Sequence, residues 1–359
     1  MVAAVLAAAA LAAPPASCAS AHTIVLDGPL RIVGTRVATR HKRDRVGLYA
    51  CLRGGRPTAI GQSGYPGFSG ATDVDVVAFD GARYLATITV RDSGTGARYR
   101  VFDLQRHRQV TLARSAAVGF GEDPFRVLPS GTLARSDFGV QLIPRGFRGD
   151  EASLTKLGST RSYDLAYVGS TLYWSTSADP ASPVVAAATA VDAPAAAPEN
   201  RVYDITHLGP YNLTRHPGRC EDLPGRLVAA SVHVRVVAHR GARSVCAIGS
   251  SKVTPVARSG ELRIVADEWL LTRDASGARL IASSNGRVVA RAPGLVRSVT
   301  VAQDGRLAWI DESGRLLLAR SHGRAPLVLA PAGDAPSALA ASAETIYWTS
   351  GGAPRRSQR

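Results

Sequence analysis

Ser170-Thr171-Leu172-Tyr173-Trp174-Ser175-Thr176 returns later in the chain as Glu344-Thr345-Ile346-Tyr347-Trp348-Thr349-Ser350. Ser130-Gly131-Thr132-Leu133-Ala134 returns likewise as Asp304-Gly305-Arg306-Leu307-Ala308. The spacing is shared: Trp348 follows Trp174 by 174 positions, and Ala308 follows Ala134 by 174. Self-similarity at a fixed period marks a modular array, in which each unit buries its apolar face only against its neighbours. Fainter echoes run at larger offsets. Arg91-Asp92 with Gly96-Ala97-Arg98 matches Arg273-Asp274 with Gly277-Ala278-Arg279, and Tyr49-Ala50-Cys51 matches Ser244-Val245-Cys246.

The modules read as strands. Short β-branched or alternating runs, such as Val46–Leu52, Tyr84–Val90, Val232–Val237 and Leu262–Val265, are separated by Asp27-Gly28, Asp80-Gly81, Asn285-Gly286, Ser313-Gly314 and similar pairs. Glycine in these pairs accepts the positive φ that tight hairpins demand. Each half divides into four segments, 28–62, 73–114, 118–158 and 160–215, answered by 222–258, 260–292, 296–330 and 335–359. A period of about 43 residues per segment lies in the range of propeller blades with four strands each. The expectation is an all-β chain forming a single β-propeller of eight four-stranded blades, with seven as the alternative count. The last segment holds only three strands. Thr23-Ile24-Val25-Leu26 is expected to complete it, so that an N-terminal strand closes the ring and removes the exposed edge. Ala186 to Pro198, rich in Ala and Pro, reads as a long surface loop.

Leu172-Tyr173-Trp174-Ser175 and Ile346-Tyr347-Trp348-Thr349 resemble the Tyr-Trp-Thr-Asp strand motif of YWTD-type propellers, and Leu307-Ala308-Trp309-Ile310-Asp311 is a weaker echo. Thr176 and Ser350 stand where that family has aspartate, so no receptor function is carried over. Taken whole, the chain is similar to uncharacterised exported bacterial β-propeller proteins with YWTD- or WD-repeat-like blades. Many of these end in a stretch like Tyr347 to Arg355. The resemblance implies a fold and is nearly silent on activity.

The 359 residues are 45% hydrophobic, enough for a sizeable core, with a formal charge of +15. Such a charge ordinarily raises nucleic acid as a partner. Here only Lys42, Lys156 and Lys252 among 43 basic residues are lysines, a pattern of GC-rich coding, and the arginines are spread along the chain. Nucleic acid is therefore not expected. The densest basic cluster, Arg36, Arg40, Lys42, Arg43 and Arg45, reads as a solvated strand-and-turn face.

Residues 1–21 read as a signal peptide: an apolar run from Val2 to Ala13, then Ala19-Ser20-Ala21 as a cleavage triplet, leaving 22–359 as the propeller domain. No later run has the length of a transmembrane helix. Pro15-Ala16-Ser17-Cys18 also resembles a lipoprotein box, which makes lipidation at Cys18 the alternative to plain secretion. In an oxidising compartment Cys220 and Cys246 are the favoured disulfide, leaving Cys51 free once Cys18 is removed.

Catalytic patterns are missing: no G-x-S-x-G, no phosphate-binding glycine loop, no Cys/His spacing that fits zinc. Neither a cofactor nor a metal is expected. The carboxylate pairs Glu122-Asp123, Asp150-Glu151, Glu221-Asp222, Asp267-Glu268 and Asp311-Glu312 read as solvated turns. Asp73 with Asp75, and histidines gathered from several blades at the axis, are the remaining chemical candidates. Trp174, Trp309 and Trp348 read as packing residues rather than sugar platforms. The function expected is a non-catalytic extracytoplasmic binding or scaffold protein, monomeric, engaging an envelope protein, peptide or polysaccharide at the axial face. The alternative is an exported hydrolase or lyase acting there on polysaccharide or lactone.

Overall fold

The computed structural model describes residues 15–19, 21–37, 45–63, 74–90, 96–115, 125–137, 139–150, 156–157, 164–168, 171–176, 184–188, 201–205, 208, 218–256, 259–266, 268–320, 324–342 and 344–357, and the statements below concern these. They form an all-β structure with no α-helix, antiparallel throughout except that Arg148–Asp150 runs parallel to Arg108–Ser115; two 3-10 turns occur, Cys220–Asp222 and Ala332–Asp334. No helix among them is long and apolar enough to cross a membrane.

Successive strands group into eight units, numbered I to VIII in chain order: 22–63, 76–115, 125–157, 164–188, 226–256, 261–293, 296–330 and 337–356. Within each unit every strand pairs with the next in the sequence, except that in unit III Lys156–Leu157 joins Gly139–Ile143 directly. Middle strands are apolar on both sides: Arg45–Leu52 is buried along nearly its whole length. Last strands such as Val288–Pro293 alternate toward solvent. The reason is that each unit lies between two others, so its central strands have no wet face.

The intersheet contacts define an order of packing. Phe79 and Leu85 of unit II pack with Ile32 and Leu48 of unit I. Tyr84 and Tyr99 of II meet Phe125 and Leu133 of III. Leu128 and Ala134 of III meet Leu172 and Trp174 of IV. The second half repeats this: Ala229 and Val236 of V meet Ile264 and Leu270 of VI, Leu271 and Leu280 of VI meet Leu307 and Trp309 of VII, and Ala308 and Ile310 of VII meet Ile346 and Trp348 of VIII. Period-two alternation puts Leu172 and Trp174 on one face of their strand and Tyr173 on the other.

The two halves do not follow one another head to tail. Tyr173 of IV stacks on Tyr347 of VIII, with ring centroids 5.7 Å apart and planes inclined by 13°. Asp164 of IV accepts a hydrogen bond from the Thr345 hydroxyl at 2.6 Å. At the other end, His22–Asp27, the first strand of I, pairs antiparallel with Arg226–Ala230, the first strand of V. Unit IV therefore neighbours VIII rather than V, and unit I neighbours V. The contacts run I–II–III–IV–VIII–VII–VI–V, and I and V share one continuous eight-stranded sheet through His22–Asp27 and Arg226–Ala230, with like meeting like at both junctions.

This corrects the expected role of Thr23–Leu26. Those residues belong to unit I and do not join Ser337–Ala341, Ile346–Ser350 and Ala353–Arg356. The cause is local. Asp27 pairs with Leu30 across a two-residue turn in which Gly28 has φ +56°, and this ties His22–Asp27 beside Leu30–Val37. The expected loop over 186–198 is also shortened, because Val184–Ala188 is the third strand of IV; residues 189–198 lie outside the described part.

The reversed order has a second effect. The chain leaving IV must reach V on the far side of I. On the way, Arg201–Asp204 pairs antiparallel with Val76–Phe79, the first strand of II. The Ile205 amide donates to the Asp75 carbonyl at 2.8 Å, and the Ser63 hydroxyl contacts the Ile205 and Leu208 carbonyls at 3.3 and 3.0 Å. Residues 201–205 and 208 are thereby fixed beside the first strand of II and Ser63 of I.

Candidate functional site

The first strands of several units converge on one cleft with segment 201–203. Arg126 comes from Phe125–Val127 of III, Arg263 from Glu261–Val265 of VI, and Arg201 and Tyr203 from the crossing strand. Gln303 follows Val296–Val301 of VII, and Ser342 follows Ser337–Ala341 of VIII. Small apolar side chains, Val265, Ala266 and Ala341 among them, complete the wall. The cleft measures about 40 Å³, room for a few ordered waters or one small oxyanion group.

Asp27 anchors one side. Arg201 Nη1 donates to its Oδ1 and the Tyr203 hydroxyl donates to its Oδ2. Both lone-pair faces of the carboxylate are thus engaged, and Asp27 is itself buried. Burial, reinforced by the Asp27 charge, pushes the Tyr203 hydroxyl well above its ordinary pKa against the opposing pull of Arg201 and Arg263. Tyr203 therefore stays protonated near neutral pH and acts as the hydrogen-bond donor to Asp27. The Arg126 side chain, largely buried, donates from Nη1 to the Phe125 carbonyl at 2.8 Å.

Chemically the lining offers guanidinium donors. Guanidinium groups present several donors in a rigid plane matched to carboxylate and phosphate, and their charge-assisted bonds are roughly twice as strong as neutral ones. Among the described residues lining the cleft there is no histidine and no carboxylate, and two of them, Arg201 and Tyr203, are bound to Asp27.

The residues singled out in the sequence fall elsewhere. Asp75 stands at the edge of II with its main chain bonded to Ile88 and Ile205, while Asp73 lies outside the described residues. Asp311 is folded into its own turn by Ser313 and Arg315, and its neighbour Glu312 is exposed. Asp222 and Glu268 are exposed; Glu122, Asp123, Glu151 and Asp267 lie outside the described residues, and for Asp150 and Glu221 only the backbone is described. His22 faces Arg235 across 3.0 Å, His107 faces Thr58 across 3.2 Å, and His233 and His239 are exposed. His41, His207, His216 and His322 lie outside the described residues. No group of three potential metal ligands forms among the described residues. Trp174, Trp309 and Trp348 are buried between sheets. Cys220 is bonded to Cys246, and Cys18 to Cys51. In the full chain Cys51 is therefore paired; the expectation of a free Cys51 applies to a chain from which Cys18 has been removed.

Sequence reading did not find Arg126, Arg201 and Arg263. They are three arginines among 43 basic residues, each on a short strand whose neighbours in the cleft come from distant segments. No local signal separates them from the solvated arginines.

No protein family and no curated protein matches the chain. Among solved structures, the β-propeller domain of the Trilobed protease from Pyrococcus furiosus, described as having an open velcro topology, is 8% identical with a TM-score of 0.27, over 93% of this chain and 94% of that one. Kluyveromyces lactis Hsv2 is 9% identical with a TM-score of 0.23, over 77% of this chain and 94% of that one. At these scores neither likeness carries an argument about what the chain does.

Proposed function

We propose that this chain is an exported, non-catalytic binding protein with a propeller-like ring of eight blades, and that it holds an anionic group of its ligand in the arginine-lined cleft. The observation that carries the reading is the convergence of Arg126, Arg201 and Arg263, from three separated segments, on one cleft with Gln303 and Ser342. A carboxylate- or phosphate-bearing envelope polysaccharide or peptide suits that lining, with its terminal group in the cleft and the rest over the open face. Two disulfides support export, since such bonds persist in oxidising compartments. A hydrolase or lyase would need a second titratable group beside Asp27, and nothing described in the cleft favours it. The monomeric state goes with this reading.

The test is calorimetric titration at low salt with phosphate, malonate and glucuronate as probes, on the wild type and on Arg263→Gln and Arg126→Gln. Binding by the wild type, weakened at least about tenfold in each variant, matches the loss of one charge-assisted contact. Equal affinity in wild type and variants, or tighter binding of a neutral sugar, would sink the anion reading. Turnover of any glycan or lactone would replace it with the enzymatic one.

A further inference from the structure

The two halves differ at their outer edges. In unit II an extended segment of III closes the last strand, Arg108–Ser115. Arg148–Asp150 runs parallel to it, and the Leu112 amide donates to the Phe147 carbonyl at 3.0 Å. The register sets Asp150 beside Arg114. In unit I the last strand, Thr58–Ser63, is buried along nearly its whole length. In the second half no described segment pairs with the outer side of Thr254–Val256, Val288–Pro293 or Leu327–Ala330. Among the described residues the exposed large apolar side chains gather at these edges: Val253, Val289, Leu327 and Val328, with Leu295 between VI and VII.

The edge of VI, the unit that answers II, is the longest of the three. Its backbone phase is fixed by Gly294, whose amide donates to the Ser276 carbonyl at 3.1 Å. Alternation then turns the Arg291 amide and carbonyl away from the sheet, in phase with Pro293, which has no N–H to leave unpaired. Arg287, Val289 and Arg291 are all exposed. Arg291 stands in register with Arg279 on the neighbouring strand, and like charges placed opposite one another repel. Among the described residues the Arg291 guanidinium makes no hydrogen bond or ion pair. Charge on an edge guards against pairing with another copy of the same edge. Here it sets arginine against arginine in such a pair and leaves an acidic strand as the complement.

We propose that the outer edge of VI docks an extended acidic segment of a partner protein. The segment adds beside Val288–Pro293 as Arg148–Asp150 adds beside Arg108–Ser115. Its main chain takes up the Arg291 amide and carbonyl, an acidic side chain settles beside Arg291, and an apolar one two positions away covers Val289. In strand addition of this kind main-chain bonds supply affinity and alternate side chains supply selection. The edge is formed by last strands, whereas the arginine-lined cleft lies among first strands, so the inference stands apart from the anion reading above.

The test is fluorescence anisotropy with the full-length chain at low salt, the probe being the labelled peptide Glu-Val-Glu-Val-Glu-Val-Glu. The wild type is expected to bind saturably, and Arg291→Glu, which reverses an exposed charge, at least about tenfold more weakly. Arg126→Gln in the cleft is expected to bind as the wild type does. Hydrogen exchange at the Arg291 amide slows when the peptide is bound. A second probe with proline in place of each valine keeps the charge but lacks those amides, and is expected to bind no better to the wild type than the first binds to Arg291→Glu. Absence of saturable binding, equal binding of the proline probe or of Arg291→Glu, or loss of binding in Arg126→Gln each overturns the inference. The last result assigns the peptide to the cleft. Vesicles of phosphatidylglycerol are tested alongside: sedimentation of the wild type but not of Arg291→Glu with them, without peptide binding, assigns the edge to a lipid surface and overturns the inference as well.

Discussion

Two glycines show what a turn residue does beyond turning. Gly131 and Gly305 occupy equivalent places in the two halves, at φ +81° and +84°. Each also seats an aromatic ring of the preceding unit. A Cβ on Gly131 would lie 2.9 Å from Tyr84, and one on Gly305 would lie 2.6 Å from Trp269. The Trp269 indole is fixed there by its Nε1 donating to the Gln303 carbonyl at 2.9 Å. Alanine at either position meets both a left-handed backbone and a flat ring that cannot step aside. Gly305→Ala and Gly131→Ala are each expected to lose about 2–4 kcal/mol, read by urea denaturation. Gly314→Ala, whose Cβ would meet nothing closer than 3.8 Å, is expected to lose only the backbone part. A second prediction concerns Asp103. Burial raises its pKa, but the bidentate bonds from Arg83, at 2.9 and 2.5 Å, and the Arg106 amide outweigh that and hold it below the ordinary carboxylate value. The folded state thus favours the charged form, so this stabilisation is complete above about pH 5 and is lost as pH falls through the lowered pKa. Asp80 works the other way. Its burial raises its pKa despite three amide donors, so its contribution is present at low pH and lost as pH rises through the raised pKa. The Asp103 effect is therefore read as a difference between wild type and Asp103→Asn: about 1–2 kcal/mol at pH 7, shrinking as pH falls below the ordinary carboxylate range and through the lowered pKa. A gap that stays constant across that range would count against the Arg83 pairing.

At the scale of elements, much was legible because hairpin chemistry is local. The turn pairs Asp304-Gly305 and Ser313-Gly314 mark where strands of unit VII reverse, and the fixed offset aligns III with VII and IV with VIII. Period-two alternation sets Tyr173 and Trp174 on opposite faces of one strand, and each packs on a different neighbour. The misreading of Thr23–Leu26 is instructive because the correcting signal was already present. Asp27-Gly28 followed by Pro29 is a two-residue hairpin, and a hairpin binds its two strands to each other. The demand for a ring-closing strand overrode it. Unit IV carries the opposite lesson. A tract rich in Ala and Pro reads as a loop, yet Val184–Ala188 is a strand because Thr171–Ser175 offers it an edge. The cleft was the least legible part. Its residues share no spacing, because their proximity is created by the order in which the units pack.

That order is the property of the whole molecule. A ring whose units follow the chain has only head-to-tail joints. Here two joints are of the like-with-like kind, which require self-complementary surfaces. The Tyr173–Tyr347 stack is the test. A double-mutant cycle with Tyr173→Ala and Tyr347→Ala is expected to give a coupling of about 0.5–1.5 kcal/mol, as direct aromatic pairs do. Head-to-tail packing would put IV against V and bring the coupling to zero. The Thr349 hydroxyl, 2.5 Å from the Tyr173 hydroxyl, offers a second cycle at the same joint. The crossing strand Arg201–Asp204 belongs to this scale too, since it exists because the second half begins beside the first half's start.

The like-with-like joints also bear on the origin of the chain. Each half is an arc with a strand edge at one end and a tyrosine face at the other, and each end fits its own counterpart. Two identical half-length polypeptides, each end meeting its own counterpart, would form the same two joints. The stretch that links the halves here, which such a pair would not need, supplies Arg201 and Tyr203 to the cleft.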